Sequence, residues 1–168
     1  GIPPNDDFNG STQEGVGTYQ TTSFNGRRCS SAVGYLRPIK ARKNLCIETN
    51  AHVMNLEFEG RRITGVRYRQ DDRICMVKVG AEVILAGGAI NSPQLLQLSG
   101  VGPGEFLRKH GIEVVHNSPG VGSDLQDHYQ ARAIVELNKP ISVNDDANNV
   151  FRRTWAGIQY AVMRRGPA

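Results

Sequence analysis

Apolar and polar residues alternate along much of the middle of the chain. From Ala51 to Glu59, Val53, Asn55 and Glu57 face one way, and Met54, Leu56 and Phe58 the other. Arg61–Arg69 carries Ile63, Val66 and Tyr68, and Gly60 marks a tight turn between the two runs. Arg73–Val79 sets Ile74, Met76 and Lys78 opposite Cys75, Val77 and Val79. Period-two alternation in short runs bounded by turn residues predicts strands, and their close spacing predicts an antiparallel meander. A further strand is expected just before it, at Leu45–Thr49.

The pattern changes at Ala81-Glu82-Val83-Ile84-Leu85-Ala86, a nearly continuous apolar run of the kind a parallel, doubly covered strand shows. It ends in Gly87-Gly88-Ala89, and Ser92-Pro93 predicts a helix, with Ser92 as N-cap and Pro93 in the first turn, ending at Gly100. A second short helix is expected over Gly104–His110, closed by Gly111, and a strand over Ile112–His116. Residues 1–26 read as loop with at most a short strand near Val16–Thr21. Helical character is expected after Asn25-Gly26, capped by Ser30 or Ser31 and running to about Leu36, with Pro38 forcing a boundary near Arg37. In the tail, a strand at Ala133–Leu137, a loop at Asn144–Asn149 and a helix over Phe151–Arg164, with Trp155, Ile158 and Val162 on one face, complete an α/β (mixed α+β) reading.

Composition narrows the function classes. The 168 residues are 39% hydrophobic and 21% charged, which suits a folded chain. No apolar run has the length of a membrane span, and Gly1–Asp7 has neither the basic nor the apolar region of a signal peptide. The net charge of +4 comes from scattered pairs such as Arg27-Arg28 and Arg61-Arg62, without the basic stripe and interleaved aromatics of a nucleic-acid surface. Cys29, Cys46 and Cys75 are odd in number and widely spaced, which fits a reducing, cytoplasmic setting rather than disulfides or zinc. None of the four His has a partner at metal-ligand spacing, so no metal is expected.

The chemistry-bearing candidates are few. An apolar strand feeding Ala86-Gly87-Gly88-Ala89 into a helix start leaves room for the backbone of a ligand, and exposed N–H groups there favour an anion or a polar cofactor edge. The alternative is a tight connection in which glycine serves only packing. Asp127-His128 is the one adjacent acid–imidazole pair, although neighbouring side chains usually diverge. Asp6-Asp7 and Asp145-Asp146 read as solvated loop acids. No nucleophile elbow of the GxSxG kind is present. Gly100-Val101-Gly102-Pro103-Gly104 reads as a helix end and loop rather than a phosphate cradle.

One run is more specific than any of these. Gly88-Ala89-Ile90-Asn91-Ser92-Pro93-Gln94-Leu95-Leu96-Gln97-Leu98-Ser99-Gly100-Val101-Gly102 resembles a signature of the glucose–methanol–choline (GMC) oxidoreductases. Arg27–Ala32 with Tyr35–Pro38, Asn44–Thr49 with Ala51–Val53, and the Pro119–His128 block (PGVGSDLQDH) resemble its flanking segments in order. The flavour is that of choline-dehydrogenase-like and related alcohol dehydrogenases. The resemblance implies an FAD-dependent enzyme that oxidises a primary alcohol to an aldehyde by hydride transfer to the flavin. It implies a loop-rich lead-in at 1–24, the central part of an FAD-binding domain at 25–131 and the beginning of a substrate-binding domain at 132–168. It also implies cofactor-binding roles for Val53, Ala86, Gly87, Gly88 and Ser92, with Asp127 and His128 close to the site. The family's GxGxxG strand and late catalytic histidine have no counterpart in these residues, so no catalytic residue is assigned. The chain then reads as an internal piece of a longer enzyme, inactive alone. A non-catalytic α/β binding module and a basic nucleic-acid-binding domain stand as the alternatives.

Overall fold

The computed structural model describes residues 1–134, 136, 138–139 and 142–164. They fall into two compact units: residues 1–46 with those described after 132, and residues 47–132.

The first unit opens with an irregular stretch in which Pro4 and Val16 form an isolated bridge. β1 (Ser23–Phe24) then pairs antiparallel with β2 (Arg27–Arg28). Asn25 and Gly26 sit at φ 50° and 66°, the pair of left-handed residues that a two-residue hairpin demands. Asn25-Gly26 thus closes a hairpin, and the helical stretch expected after it follows, with Ser31 at its N-cap position. A π-type turn over Ala32–Leu36 leads into α1 (Arg37–Ile39). Pro38 does not stop the chain here. It lies in the first turn of α1, where its missing N–H costs nothing.

The second unit carries the expected meander. β3 (His52–Glu59), β4 (Arg62–Gln70) and β5 (Arg73–Lys78) form an antiparallel sheet in the order β3-β4-β5. Its register places Leu56 beside Val66 and Val66 beside Val77, with Val53 beside Tyr68 and Tyr68 beside Cys75. β3 slips against β4 between Val53 and Asn55 and again between Glu57 and Phe58. On the other face Arg67 and Glu57 form an ion pair of 2.7 Å. Gly60 turns the first hairpin at φ 59°. Asp71 and Asp72 turn the second at φ 45° and 62°, a conformation that Asp tolerates better than most residues.

Beyond the sheet the structure corrects several expectations. Residues 45–49 belong to no sheet. Residues 82–86 form no strand either, and Ile84 is 81% exposed. An apolar run supplies the side chains of a parallel strand, yet a strand exists only where neighbouring backbone offers hydrogen bonds. None of the described residues does so here. α2 (Gly88–Leu98) starts four residues before Ser92, so Ser92 is not its N-cap and Pro93 lies inside it. Gly100 ends it at φ 86°, as expected. β6 (Val101–Gly102) pairs in parallel with β7 (His116–Asn117), so the Ile112–His116 strand shrinks to its last residue and the one after it. α3 (Gly104–Lys109) lies between them, and Gly111 follows at φ 72°. Leu107 of α3 and Leu56 of β3 are the buried large apolar side chains among the described residues. Each stabilises the unit by about 1.5–3 kcal/mol.

Returning to the first unit, α4 (Val143–Asn148) occupies what reads as loop in the sequence. Ser142 and Asp145 form a capping box, with Ser142 Oγ accepting from the Asp145 N–H and Asp145 accepting from the Ser142 N–H at 2.9 Å. Asp145 is thus a cap rather than a loop acid, and Asp146 pairs with Arg152 at 3.0 Å. α5 (Val150–Met163) matches the expected helix and is capped by Asn149, whose side chain accepts from the Phe151 and Arg152 N–H groups. Tyr160 donates its hydroxyl to the Gly26 carbonyl at 2.9 Å. In the Ala133–Leu137 segment, 133, 134 and 136 are not in a strand, and 135 and 137 lie outside the described residues.

Candidate functional site

The second unit holds a groove of about 600 Å³ bounded by the first half of β3, the 83–87 segment and one side of α2. Its walls are mostly apolar: Val53, Met54, Leu56, Val66, Val83, Leu85 and Leu95. A few polar side chains reach it, among them His52, Asn91, Ser92 and Gln94. Apolar walls with sparse convergent polar groups are the usual composition of a small-molecule or cofactor site, and the volume lies in the same range.

Each wall has a local cause. β3 is an edge strand of the meander, so one of its edges is free to border the groove. The slip between Val53 and Asn55 breaks the regular ladder at the point where Val53 and Met54 line it. The 83–87 segment is tied to α2 by the Gly87 N–H, which donates to Ser92 Oγ at 3.0 Å. A Cβ at Gly87 would lie 3.2 Å from Asn91 Cβ, so glycine lets the chain fold tightly over the helix. Gly88 follows at φ 85°.

Four of the residues singled out from sequence, Val53, Ala86, Gly87 and Ser92, meet along this groove. Gly88 adjoins it in the chain without lining it. Asp127 and His128 are exposed and do not line it. Asp127 Oδ1 accepts the backbone N–H of His128 at 2.8 Å, so this contact of the carboxylate is with its neighbour's backbone and not with the imidazole. A second, shallower groove lies between α2 and residues 120–126. Leu125 and Gln126 contribute to it.

Sequence reasoning passed over one residue that joins the walls of the groove, Ser99, and two that hold the elements around it, Gln97 and Asn117. Ser99 Oγ accepts the Leu56 N–H at 2.9 Å and donates to the Leu95 carbonyl at 2.6 Å. Gln97 Nε2 donates to the Val121 carbonyl at 2.9 Å. Asn117 Oδ1 accepts the Gly104 N–H at 2.8 Å and so caps α3. The available signal was modest: a polar residue on the last turn of an apolar helix, where a packed neighbour is the natural partner.

Among the described residues no group of three His, Cys, Asp or Glu could hold a metal ion. No helix among them is long and apolar enough to cross a membrane. Cys29, Cys46 and Cys75 form no disulfide.

Comparison with known proteins gives this geometry a context. The model of a family described as GMC oxidoreductase matches residues 1–130. The oxygen-dependent choline dehydrogenase of Staphylococcus haemolyticus (strain JCSC1435) is 43% identical over 162 residues, which is 96% of this chain and 28% of that protein. Among solved structures, a formate oxidase of Aspergillus oryzae RIB40 superposes with a TM-score of 0.74 at 26% identity, over 87% of this chain and 25% of that one. A fungal aryl-alcohol oxidase superposes with a TM-score of 0.71 at 29% identity, over 85% of this chain and 25% of that one. The chain thus spans little more than a quarter of the length of the relatives it matches.

Proposed function

The chain belongs to the GMC oxidoreductase family, and on that premise we propose that it forms the adenosine-facing part of an FAD site in an enzyme that oxidises a primary alcohol, choline or a similar one, to its aldehyde. FAD is the cofactor that this family membership brings. Bound in such an enzyme, it supplies a hydride acceptor for the alcohol carbon. The groove beside β3 is the single observation that carries the assignment to this part of the chain. Its apolar walls at Val53, Met54 and Leu85 suit a flat, poorly hydrated ring, and its polar rim at Asn91 and Ser92 suits a hydroxylated sugar. Residues 83–86 border the groove without a sheet partner among the described residues, and their backbone N–H and C=O groups are suited to meet ring nitrogens.

In this reading Val53 meets the ring through its backbone, Ala86 and Gly87 form the surface over which the ribose lies, and Ser92 keeps that surface attached to α2. Asp127 and His128 lie near the cofactor in the whole enzyme. The residue that takes the hydroxyl proton belongs to the part of such an enzyme not represented in these residues, so the 168-residue chain by itself turns over no alcohol. That a choline dehydrogenase and an aryl-alcohol oxidase are among its relatives supports oxidation at a carbon bearing a hydroxyl.

The test is direct. The purified chain, supplied with FAD, choline and a dye acceptor, is expected to show no dye reduction above the protein-free rate. Detectable alcohol oxidation by this chain would overturn the proposal that it is only the cofactor-facing portion. A non-catalytic binding module is distinguished by the flavin itself: it would show no preference for FAD over unrelated ligands of similar charge.

A further inference from the structure

Ser99 is 7% exposed and hydrogen-bonds to both walls of the groove. Its hydroxyl accepts the N–H of Leu56, on the free edge of β3, and donates to the carbonyl of Leu95, one turn back in α2. Leu56 and Leu95 both line the groove. One oxygen atom thus links a residue of one wall to a residue of the other, and both its donor and its acceptor capacity are used.

We propose that Ser99 is a positioning residue for the groove: it fixes the spacing between β3 and α2, and through that spacing the affinity of the ligand held there. The argument is geometric. Among the described residues no strand lies beside the outer edge of β3, so the sheet leaves the Leu56 N–H without a ladder partner there. Leu56 is 3% exposed, so water is not a ready substitute. The slip between Val53 and Asn55 lies immediately upstream and interrupts the ladder that would otherwise hold this part of β3 in place. The Ser99 bond therefore anchors β3 just beyond its irregular part, and Val53 and Met54 are aimed from that anchor. A hydroxyl is well suited to the task, because it accepts and donates at one atom within a short reach. Alanine at the same place would keep the volume close to native and leave the Leu56 N–H and the Leu95 carbonyl without this partner.

The proposal rests on the reading of the groove as an FAD site, and the experiment separates the two. FAD is titrated into the 168-residue chain, the Ser99→Ala, Ser99→Cys and Ser99→Thr variants, and a control, Leu107→Ala, which opens the core at α3 outside the groove. Hydrogen exchange at the Leu56 amide and proton–proton contacts between Leu56 and Leu95 are followed by NMR in the same samples. Ser99→Ala is expected to weaken FAD binding by about five- to tenfold, the equivalent of one buried hydrogen bond. It is also expected to expose the Leu56 amide to exchange and to weaken the Leu56–Leu95 contacts. Ser99→Thr, which keeps the hydroxyl, is expected to recover both, while Leu107→Ala lowers the melting temperature and leaves the affinity near that of the parent chain. A merely structural Ser99 would instead behave as the control does, with a lower melting temperature and an affinity near that of the parent chain, and that result overturns the proposal. If Ser99→Ala does not fold, Ser99→Cys is judged by the same criteria. If the parent chain binds no FAD, the functional reading fails, and the Leu56–Leu95 contacts still decide: unchanged contacts in Ser99→Ala overturn the positioning role, and lost contacts support it.

Discussion

The side-chain amide of Gln97 donates to the main-chain carbonyl of Val121 at 2.9 Å, joining α2 to a loop 24 residues further along the chain. Two glycines make this possible. A Cβ at Gly122 would lie 2.6 Å from Gln97 Nε2, and one at Gly102 would lie 3.0 Å from Gln97 Cγ. The long side chain passes between them, and α2 thereby orders the Pro119–Ser123 turn that leads to Leu125 and Asp127.

Gly122→Ala is therefore expected to be costly twice. Gly122 sits at φ 83°, where a side chain costs about 1–2 kcal/mol, and the new methyl displaces the Gln97 amide from Val121. Gln97→Ala, which removes only the hydrogen bond, is expected to cost about 1 kcal/mol. Urea denaturation of the two variants checks the order: Gly122→Ala should unfold at the lower midpoint.

Gly100→Ala should be worse than either. A Cβ there would lie 2.5 Å from the Glu113 carbonyl oxygen and 2.8 Å from Val115 Cγ2, and φ is 86°. Backbone cannot swing aside as the end of Gln97 can. The Gly100 carbonyl also accepts the Val115 and His116 N–H groups, which brings β7 beside β6. Strain and overpacking together are expected to cost about 3 kcal/mol or more. A melting temperature near that of the parent chain would contradict this account of the helix end.

The capping box offers a pH-dependent test. The Asp145 carboxyl is held below its ordinary value of 3.8, first by the Ser142 hydroxyl and then by the Ser142 backbone N–H. A depressed folded-state pKa means that the contribution to α4 is present above about pH 3.8 and is lost as the pH falls through the lower, folded value. NMR titration of the Asp145 carboxyl should show the low midpoint in the parent chain. In Ser142→Ala the midpoint should rise toward the ordinary range, and the α4 amides should lose order at neutral pH.

Much of this organisation was legible in the residues. The meander was, because alternation at Met54–Phe58 and Ile63–Tyr68 and the turn at Gly60 depend on local geometry alone. The ends of α2, α3 and α5 were nearly so, since Gly100, Gly111 and the Trp155–Ile158–Val162 face are local signals as well. The Val83–Ala86 strand was misread because strand identity resides in a neighbour, and apolar side chains do not disclose whether one is present. Ser92 directly before Pro93 has the look of a cap at a helix start, but α2 begins earlier and the Ser92 hydroxyl accepts the Gly87 N–H from inside the helix. α4 was missed although Ser142 and Asp145 stand at capping-box spacing, because the Asn- and Asp-rich run around them resembles a turn. At the groove, Val53, Ala86, Gly87 and Ser92 were singled out from sequence, whereas Gly88, Asp127 and His128 do not line it. Ser99 and Gln97 were not singled out, because their partners, Leu56 and Val121, lie far away in sequence and are backbone groups that any residue would supply.

The most direct measurement of the central claim is an NMR titration of FAD into the isotopically labelled 168-residue chain, with the backbone amides followed one by one. The account predicts concentration-dependent shifts concentrated at Val53 and Met54, at Leu85 to Gly88 and at Ser92, with the amides of α4 and α5 unmoved. Saturating FAD that leaves those groove amides in place, or moves only residues elsewhere in the chain, would contradict it.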